Sequence, residues 1–135
     1  MSQADKEALI CIAKAFRKDE SWLTNSKGYN SDVSKWRRIG VDDGRVYWIN
    51  WDSEGLTGSI PKEIGELTNL AGLGLCDNEL SGDIPIEICN LTNLYTLYLS
   101  NNNLSCEMPK IYWNRNGIIQ FFETERKRVS QTLLQ

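Results

Sequence analysis

Hydrophobic residues recur through the middle of the chain at a fixed spacing of 24 residues. Lines of that length, started at residues 46, 70 and 94, place apolar residues above one another in five columns. The columns are Val46, Leu70 and Leu94; Ile49, Leu73 and Leu97; Trp51, Leu75 and Leu99; Leu56, Leu80 and Leu104; and Ile60, Ile84 and Met108. A constant period of roughly 20–29 residues predicts a solenoid, in which each coil buries its apolar side chains against the next.

The first part of each period predicts a short strand followed by a turn. Leu73 and Leu75 alternate with glycines at 72 and 74, so the leucines point to one face of a strand and the glycines to the other. Asn78 and Asn102 follow their strands, where an amide can satisfy the backbone groups of a turn. Glu54 takes that place in the first period, so we expect the asparagine ladder to be incomplete.

The second part of each period predicts a compact convex side. A proline follows the last apolar column at residues 61, 85 and 109 and keeps the chain extended there. Ile64 and Leu67 then lie three residues apart, the spacing of a 3₁₀ turn. The sequence therefore predicts an α/β solenoid with a short parallel concave sheet and a convex side of 3₁₀ turns and loops.

The ends of the chain predict two covers for this solenoid. Asp5 is the predicted N-cap of an amphipathic helix that runs to about Lys18. The tryptophans Trp22, Trp36 and Trp51 are interpreted as apolar plugs between the helical cap and the first repeat. We expect a helical N-terminal cap at 1–45, three repeats at 46–117, and a degenerate strand with a C-terminal cap or tail at 118–135.

The C-terminal strand is predicted from the same columns. Ile118 and Phe121 fall under Leu94 and Leu97. Beyond them, residues 123–135 are mostly polar, which favours either a helical closing cap or a frayed tail.

Composition excludes several functions. The chain has no histidine, so it cannot form a Ser-His-Asp or Cys-His site or a His-ligated zinc site. We therefore expect no enzyme activity, no cofactor and no metal.

The charge is distributed unevenly along the chain. Residues 1–45 carry nine basic and seven acidic groups, residues 46–109 carry one basic and nine acidic groups, and residues 110–135 carry five basic and two acidic groups. The net charges of the three segments are therefore +2, −8 and +3. An acidic middle argues against nucleic acid as the main ligand.

The cellular location is predicted from the lack of a membrane or signal-peptide segment and from the positions of the cysteines. No segment reaches the roughly 20 apolar residues of a membrane helix, and the N-terminus lacks a signal-peptide core. Cys11, Cys76, Cys89 and Cys106 occupy non-equivalent positions, so free thiols are expected. We predict a cytoplasmic protein; the alternative is an extracellular protein whose leader was removed, with sequons at Asn90 and Asn103.

The residue motifs of the repeat resemble those of one protein family. Leu56-Thr-Gly-Ser-Ile-Pro, Leu80-Ser-Gly-Asp-Ile-Pro and the paired Leu-Thr-Asn-Leu segments are similar to plant-type leucine-rich repeats of receptor ectodomains and related microbial proteins. The resemblance covers residues 46–109 and implies a right-handed superhelix with a receptor or effector setting. No cysteine lies between Cys11 and Cys76, so the N-terminal cap resembles the disulfide-free form of the microbial relatives.

The outward columns of the concave sheet hold the candidate partner-binding residues. Trp48, Tyr98 and Phe122 are aromatics that the stacking pattern does not require, and small residues at 72 and 74 predict a depression between the first two. The alternative is that Trp48 is covered by the cap and Phe122 by the tail. The predicted site residues are Trp48, Asn50, Asp52, Asp77, Thr96, Tyr98, Ser100 and Phe122.

Three functions compete. The first is a non-catalytic module that binds a protein or peptide through the concave face. The second is a structural module that self-assembles weakly through the edge strand around residues 118–122. The third is a hydrolase that uses Asp52 and Asp77, which we disfavour because the pattern offers no closed pocket.

Overall fold

The computed structural model describes residues 1–24 and 36–105, together with the backbone of two short strands at 121–123 and 128–130. The helices are α1, Gln3–Ala15, and α2, Glu20–Thr24. The strands are β1, Ile39–Asp42; β2, Arg45–Asn50; β3, Thr57–Gly58; β4, Gly72–Gly74; β5, Glu79–Gly82; β6, Thr96–Tyr98; β7, Asn103–Leu104; β8, Phe121–Glu123; and β9, Arg128–Ser130. Two 3₁₀ helices span Lys62–Glu66 and Ile86–Asn90.

The concave sheet has the order β1-β2-β4-β6. Its last three strands are parallel, and their register pairs Trp48 with Gly72 and Gly72 with Thr96. The register advances by the 24 residues of the sequence period, so the predicted repeat and parallel concave sheet are confirmed.

A second sheet, with the order β3-β5-β7, was not predicted. Its strands are two to four residues long, too short for an alternating pattern to reveal. Gly58 and Gly82 lie at its strand ends with φ of 85° and 82°, a region that glycine adopts without strain. The two expected 3₁₀ helices are present, and the second sheet forms in the segment between each concave strand and the following 3₁₀ helix.

The N-terminal cap contains a hairpin that the sequence analysis did not foresee. β1 runs antiparallel to β2, and the connecting Asp43 and Gly44 both have positive φ, 50° and 73°. Two such residues in sequence form the tight turn whose twist suits a hairpin. β1 therefore extends the concave sheet by one strand at its N-terminal side.

The prediction that Asp5 is the N-cap of α1 was wrong. Ser2 is the N-cap, and its hydroxyl accepts a hydrogen bond from the backbone N–H of Asp5. The Asp5 side chain is fully buried; it accepts two hydrogen bonds from Arg45, at 3.0 and 3.2 Å, and one from the backbone N–H of Val46, at 2.9 Å. Asp5 therefore ties the helix to β2. The helix also stops at Ala15, before the expected end, and a second short helix follows.

The tryptophans fill the space between the cap and the first repeat, as predicted. Trp51 is fully buried and meets Phe16 and Trp22 edge to face, with ring centroids 6.3 and 5.1 Å apart. Trp36 is also buried, whereas Trp22 is half-buried. These large rings cover the end of the leucine core that a short solenoid would otherwise expose to water.

The predicted asparagine ladder is confirmed. The amide oxygen of Asn78 accepts from the backbone N–H groups of Glu54 and Leu56, and its NH₂ group donates to three backbone carbonyls. Asn102 is fully buried one coil later; its amide oxygen accepts from the backbone N–H of Leu80, and its NH₂ group donates to three backbone carbonyls. Glu54 instead pairs with Arg37 at 3.1 Å and Arg38 at 3.6 Å, so the first coil is joined to the cap by charge.

A strand lies at part of the predicted C-terminal position, and its pairing within the described residues is antiparallel. Strand β8 includes Phe121 and pairs antiparallel with β9. Residues 128–130, for which we considered a helical cap or a tail, are a strand. Ile118, which was also predicted to belong to this strand, lies outside the described residues.

Candidate binding face

The concave sheet brings together most of the predicted site residues. Ile49, Leu73 and Leu97 are buried in the core, so the alternating residues of the same strands face outward. Trp48 and Asn50 lie on β2 and Thr96 and Tyr98 on β6. Three further predicted residues, Asp52, Asp77 and Ser100, lie just beyond the strands. Thr96 is only 8% exposed, so little of it is available to a ligand. Phe122 is on β8, and its side chain lies outside the described part of the chain.

The predicted depression above Gly72 is filled. A Cβ atom added to Gly72 would clash with the six-membered ring of Trp48, because that ring lies directly over the glycine. Trp48 is nevertheless half-exposed. The glycine is needed for the ring to lie down on the sheet, and the outer surface of the ring then forms part of the face.

The space above Gly74 is also occupied. A Cβ atom there would lie 3.0 Å from the Asp52 carboxylate and 3.4 Å from the Asn50 amide oxygen. Asp52 reaches across to the next coil, where it accepts a 2.7 Å hydrogen bond from the backbone N–H of Cys76. The two small residues therefore admit neighbouring side chains, and the expectation of a hollow between Trp48 and Tyr98 was wrong.

Asp77 lies at a turn that repeats in every coil. Ser53, Asp77 and Asn101 all have φ between 55° and 59°, and Asn101 donates a 2.6 Å hydrogen bond to the Asp77 carboxylate. Asp52 and Asp77 thus each use one carboxylate oxygen to accept a hydrogen bond from the adjacent coil. They hold neighbouring coils in register and keep their negative charges at one end of the face.

Two exposed tyrosines beside the strands of this face were not predicted from the sequence. Tyr47 and Tyr95 are 43% and 51% exposed and occupy the same repeat column, with Ala71 between them. The register shifts between Gly40 and Val41, which leaves Tyr47 as an extra residue on β2. Its ring lies over Gly40, 2.8 Å from where a Cβ atom would be. The aromatic column was visible in the sequence, but the bulge that tips Tyr47 onto the face was not.

Cys76 lies half-buried between the acidic residues. Burial is the largest effect and raises the pKa of its thiol; the hydrogen bond from Ser100 lowers that pKa in part, and the charges of Asp52 and Asp77 each add a smaller increase. Ser100 donates a 3.2 Å hydrogen bond to the sulfur. The thiol therefore stays protonated near neutral pH, a state that is poorly nucleophilic.

The described residues contain neither a metal-binding cluster nor a membrane-spanning helix. Within the described ranges, no group of three or more His, Cys, Asp or Glu side chains is placed to hold a metal ion. In the same part of the chain, no helix has the length and apolar character needed to cross a bilayer.

Comparisons with known proteins agree with the repeat. The family model described as Leucine Rich Repeat matches residues 93–119. No curated protein matches the chain. The solved structure of PEPR1-AtPEP1 is 27% identical, with a TM-score of 0.76 over 91% of this chain and 18% of that one.

Two further solved structures are similar to the chain. The plant peptide hormone receptor RGFR1 in complex with RGF2 is 33% identical, with a TM-score of 0.56, over 66% of this chain and 17% of that one. A plant ice-binding protein is 28% identical, with a TM-score of 0.71, over 91% of this chain and 42% of that one. The chain thus spans less than half the length of each of these three proteins.

Proposed function

We propose that this chain, whose repeats are of the plant leucine-rich type, is a non-catalytic recognition module that binds a protein or peptide on its concave face. The family and its neighbours support recognition in general; the use of this particular face is the proposal. The observation that carries it is the set of partly exposed aromatic rings, Tyr47, Trp48 and Tyr98, on the strands of one hydrogen-bonded sheet.

Aromatic side chains are suited to binding because they bury a large area at a small entropic cost. Here Trp48 is held against Gly72 and Tyr47 against Gly40, so both rings are placed before a ligand arrives. A pre-ordered ring loses less rotamer freedom on binding. The similarity to RGFR1, a plant peptide hormone receptor, supports the choice of a peptide as ligand.

A hydrolase based on Asp52 and Asp77 receives no support from the geometry. Each carboxylate accepts a hydrogen bond that joins neighbouring coils, from Cys76 at 2.7 Å and from Asn101 at 2.6 Å. Structural bonds of this kind explain why acidic residues stand at these positions.

The proposed setting is extracellular, in place of the cytoplasmic location expected from the sequence. A receptor-type binding face must stand where a secreted peptide can reach it, and the likeness to RGFR1 supports that setting. Asn90 and Asn103, the two sequon asparagines, are both exposed. Production behind a signal peptide in a glycosylating cell tests this: a glycan on either residue is expected, and a secreted, folded chain without one would contradict it.

The binding test selects peptides from a random display library on the full chain and then measures their affinity for variants. Trp48→Ala and Tyr98→Ala are expected to weaken binding by roughly tenfold or more, as for anchors at the centre of an interface. Ile86→Ala is the matched control, since Ile86 is 65% exposed in a convex 3₁₀ helix. Loss of binding in Ile86→Ala with none in Trp48→Ala would place the site on the convex side.

A further inference from the structure

The ring of Trp48 forms a flat platform on the concave face. The atoms nearest to the Cβ position of Gly72 are three consecutive atoms of the six-membered ring, Cε3, Cζ3 and Cη2, and all three lie within 2.8 Å of that position. Such distances put the position over the ring and not in its plane, so one face of the indole lies on the backbone of β4. Trp48 is half-exposed, and the face that a ligand can reach is therefore the opposite one.

Asn50 and Asp52 lie beside this platform with unused hydrogen-bonding capacity. Their side chains occupy the space above Gly74, two residues along β4 from Gly72. The Asn50 amide oxygen accepts from the backbone N–H of Asp52 at 3.3 Å, and one Asp52 carboxylate oxygen accepts from the backbone N–H of Cys76 at 2.7 Å. Among the described residues, the Asn50 NH₂ group and the other Asp52 oxygen have no partner. A pair of donors thus lies next to an acceptor.

The remaining outward positions of the three parallel strands share this polar and aromatic character. The six positions are Trp48, Asn50, Gly72, Gly74, Thr96 and Tyr98. Apart from the glycines, the side chains carry a ring, an amide or a hydroxyl group, and none of the six is aliphatic or positively charged. Such a face offers ring stacking and hydrogen bonds, the means by which a neutral ligand with many hydroxyl groups is recognised.

We propose that the β2 side of the concave face is a binding site for a neutral saccharide, a β-linked glucose oligosaccharide, with one pyranose ring on Trp48 and its hydroxyls at Asn50 and Asp52. A glucose ring with equatorial hydroxyls presents axial C–H groups on its faces, and the negative face of the indole attracts them. The inference goes beyond the proposed recognition of a protein or peptide and does not depend on it.

The polar pair suits two neighbouring hydroxyls of one sugar ring. One hydroxyl oxygen accepts from the Asn50 NH₂ group, and the next hydroxyl donates to the free oxygen of Asp52. Gly72 and Gly74, over which the ring and the polar pair lie, are about 6.6 Å apart along the strand. A pyranose ring with one hydroxyl and one hydrogen bond of about 2.8 Å covers such a distance.

Saturation-transfer NMR of cellotetraose with the full chain gives the first test. Transfer is expected to be stronger for the axial protons of one ring face than for those of the other, because a single face lies on the indole. The site is open and shallow, so we expect a dissociation constant on the order of 1 mM. No saturation transfer at about tenfold that concentration, or equal transfer to both ring faces, would overturn the inference.

Variants of the two parts of the site give the second test. Trp48→Ala is expected to weaken cellotetraose binding by roughly tenfold or more, and Trp48→Phe to restore part of it, because phenylalanine keeps a flat ring. Asn50→Ala removes both donors and should weaken binding by roughly threefold to tenfold. The matched control is Asn69→Ala, an exposed amide outside the concave strands, which should bind like wild type. Unchanged binding in Trp48→Ala would refute the proposed platform.

The outcomes separate this inference from the proposed function. Selected peptides that depend on Trp48, together with no binding of cellotetraose, would overturn the saccharide site and leave peptide recognition intact. Binding of cellotetraose that depends on Trp48, with no selected peptide, would support the saccharide site and contradict peptide recognition. A urea denaturation curve of each variant identifies any loss of binding that comes from unfolding.

Discussion

At the scale of single residues, glycine and tryptophan act as a pair in this protein. Gly72 has no side chain because the ring of Trp48 occupies that space, and Gly40 is related to Tyr47 in the same way. These glycines serve packing rather than backbone bending. A side chain at either position competes directly with an aromatic ring of the candidate binding face.

Gly72→Ala is expected to destabilise the protein. The new methyl group would overlap the Trp48 ring, and overpacking of this kind costs roughly 1–3 kcal/mol in the free energy of unfolding. Urea denaturation measures the loss. The double variant Gly72→Ala, Trp48→Ala is the control, because removal of the ring frees the space; if the two losses simply add, the proposed overlap is not their cause.

The cysteines are expected to differ in reactivity. Cys11 is exposed on α1, whereas burial raises the pKa of the half-buried Cys76 thiol and so lowers its thiolate fraction near neutral pH. We expect a thiol reagent to modify Cys11 roughly tenfold faster than Cys76 at pH 7.5, with the Cys76 rate still rising at more alkaline pH. Mass spectrometry of the partly modified chain shows the order, and prior modification of Cys76 would contradict it.

At the scale of elements, two polar devices join pieces that lie far apart in sequence. The buried Asp5 carboxylate connects α1 to β2, and Asn78 connects the turn of one coil to the backbone of the previous coil. Each replaces water at buried backbone groups with a side chain. The stability of the cap and of the repeats should therefore depend on single polar residues.

Asp5→Ala is expected to loosen the N-terminal cap. The change leaves the buried N–H of Val46 without its acceptor and Arg45 without its carboxylate partner, at a cost of roughly 2–3 kcal/mol. Glu7→Gln, on an exposed position of the same helix, should change the unfolding free energy by less than about 0.5 kcal/mol. Equal effects of the two changes in urea denaturation would show that the buried connection is unimportant.

Asn78→Ala is expected to disrupt the stacking of the first two coils. Two backbone N–H groups and three carbonyls lose their partner, and we expect a loss of roughly 3 kcal/mol in the free energy of unfolding. Asn69→Ala removes an exposed amide and serves as the matched control. Hydrogen exchange should speed up at Glu54 and Leu56 in the first variant alone, and unchanged exchange there would refute the assignment.

At the scale of the whole molecule, the cap, the stacked coils and the outward face share one set of strands. Each parallel strand contributes a buried residue such as Leu73 to the core and, through its outward positions, supports the binding face. Ligand binding and folding are therefore coupled through the same sheet, so a ligand of the concave face should raise the melting temperature.

Self-association remains a prediction at this scale. The C-terminal strand β8 is already paired with β9 along one edge, which leaves less of it for another copy than a bare edge strand would offer. We expect the chain to stay monomeric at micromolar concentrations, as measured by light scattering with size-exclusion chromatography. A dimer that persists in reductant would favour edge assembly, and a dimer lost in reductant would indicate an intermolecular disulfide, with the exposed Cys11 as the first suspect.

The sequence alone determined the solenoid, its period, the inward leucines and the asparagine ladder, because each depends on a local pattern that recurs every 24 residues. Only the tertiary structure decided the features that join distant segments. Asp5 meets Arg45 across the cap, a bulge turns Tyr47 onto the concave face, and the Trp48 ring fills the space that its neighbour Gly72 leaves. No periodic pattern encodes these contacts, since they depend on which coil lies beside which and on how a ring is oriented there.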